Sequence, residues 1–174
     1  DPSANPRNEY PIGKARFTWL TPATLRMEWS PGESFEDRAS LAVVHRNCSE
    51  VAVTRKEENG WHCMATDYMD VYYKDDGKPF HRDNLEIHFR RSEIQGKWTP
   101  STRSKGNLKG TTRTLDGTRG NKNLEFISEQ KTKEKEEIAL GDGLLSRDGW
   151  ALHDDSHNPL LDPSAEAPFP WASP

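Results

Sequence analysis

At 174 residues the chain is long enough for one domain with a core and too short for two large ones. Hydrophobic residues make up only 32% against 30% charged, which predicts one modest core with long solvated loops or an irregular insert. Six tryptophans argue against general disorder, and a formal net charge of -4 argues against strong attraction to nucleic acid or an anionic membrane.

The opening DPSANPRNEYP is polar and proline-rich, with neither the pattern of a signal peptide nor an initiator methionine. It reads as the start of something processed or excised from a longer chain. Alternation follows at once. In ARFTWL, Ala15, Phe17 and Trp19 share one face; in TLRMEW, Leu25, Met27 and Trp29 do the same, with Thr24, Arg26 and Glu28 outward. Period two over such runs predicts half-buried strands, and Thr21-Pro22 between them predicts a hairpin. Further strands are expected at 40–44, 50–54, 60–66, 68–73 and 85–89, separated by turns at Pro31-Gly32, Asn59-Gly60 and Asp76-Gly77. Many short strands at this spacing predict an all-β antiparallel sandwich. Cys48 and Cys63 read as two unrelated free thiols, because nothing else suggests a disulfide scaffold. Asn47-Cys48-Ser49 matches the N-glycosylation acceptor pattern, a match short enough to arise often by chance.

After Trp98 the texture changes to glycine, threonine and basic residues with almost no apolar content. A charged stretch, LEFISEQKTKEKEEI (124–138), follows as a solvated insert, with a short helix as the other option. The stretch GDGLLSRDGWALHDDS (141–156) returns to strand texture: Gly143 and Gly149 allow bends, and Leu145, Trp150 and Leu152 are expected to anchor strands in the core. The tail NPLLDPSAEAPFPWASP reads as a proline-rich linker, so the sandwich is expected over 1–158, with the charged insert at about 121–140 and the linker over 159–174.

Each cluster that suggests chemistry competes with a plainer explanation. GNLKGTT lacks the phosphate-loop spacing, since Lys109 precedes Gly110. The basic residues Arg103, Lys105, Lys109, Arg113, Arg119 and Lys122 have no interleaved aromatics, so a solvated loop is favoured over nucleic-acid binding. His153, Asp154, Asp155 and His157 carry metal-ligating atoms, but neighbours on a strand point to opposite faces, so turn and edge carboxylates are favoured. Ser146 lacks the nucleophile elbow, and Asp148, Asp154 and Asp155 read as turn-forming or hydrogen-bonding residues rather than a glycosidase pair. No metal and no cofactor is expected.

GNLKGTTRTLDG followed by DGLLSRDGWALHDDS resembles the N-terminal region of glycoside hydrolase family 31, the α-glucosidase and α-xylosidase family. ARFTWLTPATLRMEWSPGESFEDRASLAVVHR (15–46) is similar to the opening strands of that region, and PFPW (168–171) to the segment leading into the catalytic barrel. The blocks occur in family order. The resemblance implies a galactose-mutarotase-like β-sandwich before a (β/α)8 barrel that holds both catalytic aspartates, so no residue of 1–174 inherits a catalytic role. It further implies a loop leaning over the barrel mouth, matched best by TTRTLDGTRG (111–120). There Asp116 would accept hydrogen bonds from sugar hydroxyls, in competition with a plain Asp-Gly turn, and Arg113 would orient it or donate to a neighbouring hydroxyl. The departure comes after Gly120, where the chain is longer and more charged than the family pattern.

The leading expectation is therefore a non-catalytic N-terminal sandwich of a retaining α-glycosidase. Its partners would be the barrel of the same parent chain and an α-linked oligosaccharide, with no nucleic acid and no membrane. The alternatives are a free-standing carbohydrate-binding sandwich and an interaction module without sugar affinity. A barrel-supporting domain should expose an apolar patch near Phe169 and Trp171, whereas a free-standing module should show an aromatic platform beside polar groups. Nothing in the sequence names a compartment; a soluble protein, secreted or periplasmic, is one expectation.

Overall fold

The computed structural model describes residues 2–40, 42–90, 96–109, 121–127, 133–139, 141–161 and 172–173. The chain divides into two compact units, Asp1–Thr102 with Asp155–Pro174, and Arg103–Asp154.

The first unit is an antiparallel β-sandwich. One sheet has the order β1 (Glu9–Ile12), β2 (Ala15–Thr21), β3 (Thr24–Trp29). The other runs β4 (Thr54–Glu58), β5 (Trp61–Ala65), β6 (Met69–Tyr73), β7 (Leu85–Phe89), β8 (Lys97–Trp98), each strand beside its sequence neighbour. Phe17 of β2 meets Tyr73 of β6 at 5.2 Å between ring centroids, and Phe80 from the β6–β7 loop closes on both at 5.7 Å. Around this triad lie Ala15, Trp19, Met64, Val71, Leu85 and Ile87, all buried. Alternation and register agree: Phe17 faces Met27 and Trp19 faces Leu25 across β2–β3, so the apolar residues of both strands share the inner face. Truncating Phe17 to alanine would cost about 3–5 kcal/mol in lost transfer energy and cavity formation.

The other face of β2 is buried as well, although alternation alone would leave it to solvent. Arg16 and Thr18 are covered. The Arg16 guanidinium reaches Glu28 at 2.8 Å, Asp37 at 2.7 Å and the carbonyl of Glu36 at 3.3 Å, and lies over the Phe35 ring. Arg26 donates to the same carbonyl at 2.9 Å, and buried Arg46 donates to the carbonyl of Arg38 at 2.7 Å. The segment after β3 is thus held across the sheet by arginine side chains. The Glu36 and Arg38 carbonyls, which precede the run expected as a strand at 40–44, are taken by guanidinium groups, and among the described residues that run keeps a single bridge, from Ser40 to Leu160. The strand expected at 50–54 contributes only Thr54. There Asn8 occupies the backbone instead, accepting from the Val51 amide at 2.8 Å and donating to the Ser49 carbonyl at 3.0 Å, while Asn5 donates to the carbonyl of Cys48 at 3.2 Å. Both cysteines are free.

The hairpin turns follow their sequence signals. Asn59 and Gly60 between β4 and β5 both take positive φ, 53° and 76°, the geometry a two-residue hairpin turn requires. Asp76 organises the β6–β7 loop, accepting from the Lys78 amide and from the side chains of Asn84 and His81. A short pair, β11 (Leu160–Leu161) and β12 (Ala172–Ser173), completes the first unit.

In the second unit the charged stretch forms an antiparallel hairpin, β9 (Asn121–Ile127) with β10 (Lys133–Ala139), rather than a helix. Its register sets Lys135 opposite Glu125 and Glu136 opposite Leu124. Residues 141–156 do not return to strand: only Ser146 bridges, to Asn107. Leu145 and Leu152, expected as core anchors, are 54% and 48% exposed, because this segment is held by polar contacts instead of by packing.

Candidate functional site

Arg113 and Asp116 lie outside the described residues. The described residues that precede and follow 110–140 in sequence are bonded to one another. Asp148 accepts three hydrogen bonds on one carboxylate oxygen: from Ser104 Oγ at 2.7 Å, the Lys105 amide at 2.9 Å and the Gly106 amide at 3.0 Å. The backbones add Arg147 N to Gly106 O at 2.9 Å and Leu108 N to Leu145 O at 3.0 Å. One turn further out, Asn107 grips Gly143 both ways, donating to its carbonyl and accepting from its amide, each at 2.8 Å. Lys109 then pairs with Asp142. Residues 104–109 and 142–148, from two of the sequence blocks that stood out, are therefore one hydrogen-bonded neck that joins the chain on either side of 110–140. Ser104, followed by Gly106 and then Lys105, lowers the Asp148 carboxyl below the usual carboxylate range by donating to its charged form.

The other sequence candidates fall into structural roles. The Ser146 hydroxyl lies 3.2 Å from Ser104 Oγ and accepts from the Asp148 amide at 3.1 Å, so it serves the neck. Asp155 accepts from Ser40 Oγ and Asn158 Nδ2, each at 2.6 Å, which makes it a turn-holding carboxylate. Among the described residues no group of three or more His, Cys, Asp or Glu side chains is arranged to hold a metal ion.

A second feature went unremarked in the sequence. On the outer face of the five-stranded sheet a groove of about 310 Å3 opens between Trp61 and Tyr72, with Cys63 buried at its floor and Glu86 and His88 along one wall. The register builds it. Cys63 stands opposite Tyr72 across β5–β6, and Tyr72 opposite Glu86 across β6–β7. Trp61, two residues from Cys63, and His88, two from Glu86, extend the same face. Glu86 is fixed from both sides: Lys97 Nζ donates to Oε1 at 2.8 Å, and His88 Nε2 lies 3.0 Å from Oε2. These two partners, Lys97 first, hold the Glu86 carboxyl below its ordinary range. Tyr72 packs against His88 at 4.9 Å between ring centroids. Burial, then the neighbouring Cys63 and Asp70, pushes the Tyr72 hydroxyl up. The signal that would have found this groove was present: the strands at 60–66, 68–73 and 85–89 carry aromatic rings at alternate positions to those that fill the core.

The chain matches no family model and no curated protein.

Proposed function

We propose that this chain is the N-terminal β-sandwich region of a retaining α-glycosidase of the α-glucosidase and α-xylosidase type. It acts on α-linked oligosaccharides through its parent: the sandwich supports a (β/α)8 barrel that carries the catalytic carboxylates, and the 110–140 excursion shapes the rim of the substrate site. The observation that carries this reading is the neck. Three hydrogen bonds to Asp148 and the two between Asn107 and Gly143 join the blocks on which the family resemblance rests and give the excursion a fixed root. A loop that offers a carboxylate to a sugar needs such a root, because a misplaced hydrogen-bonding group contributes little to orientation.

The test is the reading frame beyond the Pro174 codon. It is expected to continue into a (β/α)8 barrel with an aspartate pair at the carboxyl ends of its strands; a stop codon there in the mature message overturns the proposal. In the full-length enzyme, Asp116→Asn should lower kcat/KM for an α-glucoside roughly tenfold, the loss expected for one substrate hydrogen bond. An unchanged kcat/KM removes the excursion from the rim. The second reading, a free-standing carbohydrate-binding sandwich, draws on the groove between Trp61 and Tyr72, since an aromatic platform beside polar groups is what such a module requires.

A further inference from the structure

We infer that the outer face of the five-stranded sheet is a saccharide-binding surface, on which an uncharged gluco-oligosaccharide stacks one pyranose ring against Trp61 while its hydroxyls meet Glu86 and Lys56. The α-linkage of that ligand rests on the proposed function above; the rest stands on the groove alone. The groove is at the lower end of the size range of small-molecule sites, roughly 300–1,000 Å3, enough for a sugar unit lying on an open face.

Three observations select this ligand class. The first is the apolar component. Trp61 and Tyr72 are half-buried on a face that strand alternation assigns to solvent, and they flank a buried Cys63 rather than a charged residue. Aromatic rings at such a site offer flat apolar area at little conformational cost, which matches the C–H face of a pyranose. The second is the polar component. Glu86 is held rigidly by Lys97 and His88, yet an ionised carboxylate has about four acceptor positions, so it retains capacity for hydroxyl donors. Lys56 brings donors and Asn59 both kinds of group, as a ring of hydroxyls demands. The third is charge. The lining sets one lysine, Lys56, against two glutamates, Glu58 and Glu86, and Lys97 pairs with Glu86 from outside the lining, so the groove offers no cationic excess, counting histidine neutral. A phosphorylated ligand would lack the cationic surplus it needs.

The experiment is a calorimetric titration of the full 174-residue chain with maltohexaose, read in parallel by tryptophan fluorescence. Cellohexaose, inorganic phosphate and tetramethylammonium serve as comparison probes. Saturable maltohexaose binding is expected with Kd on the order of 1 mM, as suits an open one-sided groove. Trp61→Ala should weaken it roughly tenfold or more, the loss typical of a central aromatic contact. Glu86→Gln, which keeps the shape and removes the charge, should weaken it several-fold, and Trp61→Phe should retain part of it. Unchanged thermal unfolding of the glutamine and phenylalanine variants separates lost binding from lost fold. The inference is overturned if maltohexaose fails to saturate the wild-type chain, if Trp61→Ala and Glu86→Gln bind like wild type, or if another probe binds in its place. Binding that disappears in Asp116→Ala but survives in Trp61→Ala also overturns it, by moving the sugar to the 110–140 excursion. None of these outcomes bears on whether a barrel follows Pro174, so the two proposals fail separately.

Discussion

Asp148 shows how one side chain does work that its neighbours in sequence only suggest. It lies in a run of glycines, an arginine and further aspartates that invites a catalytic assignment, yet its carboxylate is spent on Ser104 Oγ and two successive amides. Those amides belong to Lys105 and Gly106 in the neck, where no helix or sheet ladder is present to satisfy them. Replacement of Asp148 by alanine leaves three donors without their acceptor. The expected outcome is faster amide hydrogen exchange at Lys105 and Gly106, by roughly tenfold or more, with little change at the Phe17 and Val71 amides of the sandwich. Exchange measured by mass spectrometry or NMR checks this; unaltered protection at 105 and 106 would show that the backbone bonds of Arg147 and Leu108 suffice for the neck. The carboxyl is held below its ordinary range, so the contribution is complete above the usual carboxylate pKa and fades as pH falls through the lowered value. Protection at these two amides should therefore weaken in acid before the sandwich does.

At the scale of the elements, the turns carry a comparable test. Gly13, between β1 and β2, has φ of 53°, and a Cβ added there would collide with the Asp75 carboxylate. Gly60 has φ of 76°, but nothing lies within 4 Å of its absent Cβ. Gly60→Ala should thus cost only the backbone penalty, about 1 kcal/mol, whereas Gly13→Ala should cost about 1–3 kcal/mol because Asp75 must also move. Urea unfolding of the two variants decides it, and equal losses would mean that Asp75 swings away freely. The same scale shows what the sequence disclosed. Phe17, Val71 and Ile87 sit in alternating runs closed by turn residues, and their strands formed where that local pattern placed them. The runs at 40–44 and 50–54 are as apolar, yet Arg16, Arg26 and Arg46 take the Glu36 and Arg38 carbonyls just before the first, and Asn8 takes the Val51 amide of the second. No local pattern encodes those bonds. Nor does it separate an apolar residue in a core strand from one in a polar-held loop, which is why Leu145 and Leu152 read as anchors and stand exposed. The groove was legible in principle, since Trp61, Tyr72 and His88 occupy the off-core positions of three strands, but its floor and walls depend on cross-strand register.

For the whole molecule, the titrating groups set a stability window with different causes on its two sides. On the acid side, hydrogen bonds from Arg38 pull the Glu36 carboxyl from 4.5 to about 2, and His81 and Asn84 hold Asp76 well below its ordinary range. A group depressed by folding stabilises the native state above its unfolded pKa and loses that contribution as pH falls through the folded one. Stability should therefore begin to fall below about pH 4.5 and keep falling toward pH 2. On the alkaline side the cause is burial. Tyr73 sits in the aromatic core with no exposed surface, and burial, reinforced by Asp75 and Asp76, pushes its hydroxyl from 10.0 to about 12. The unfolded chain releases that proton first, so the contribution is complete below pH 10 and is lost between 10 and 12. Tyr73→Phe keeps the ring that packs on Phe17 and Phe80 and removes the titrating proton. Its thermal midpoint, followed by circular dichroism from pH 3 to 12, should track the wild type in acid and decline less steeply above pH 10. A parallel decline would show that Tyr73 does not set the alkaline limb. Glu36→Gln is the mirror variant: it should flatten the acid limb below pH 4.5 and leave the alkaline limb alone, because the Arg38 contact it weakens is far from neutralisation at pH 10.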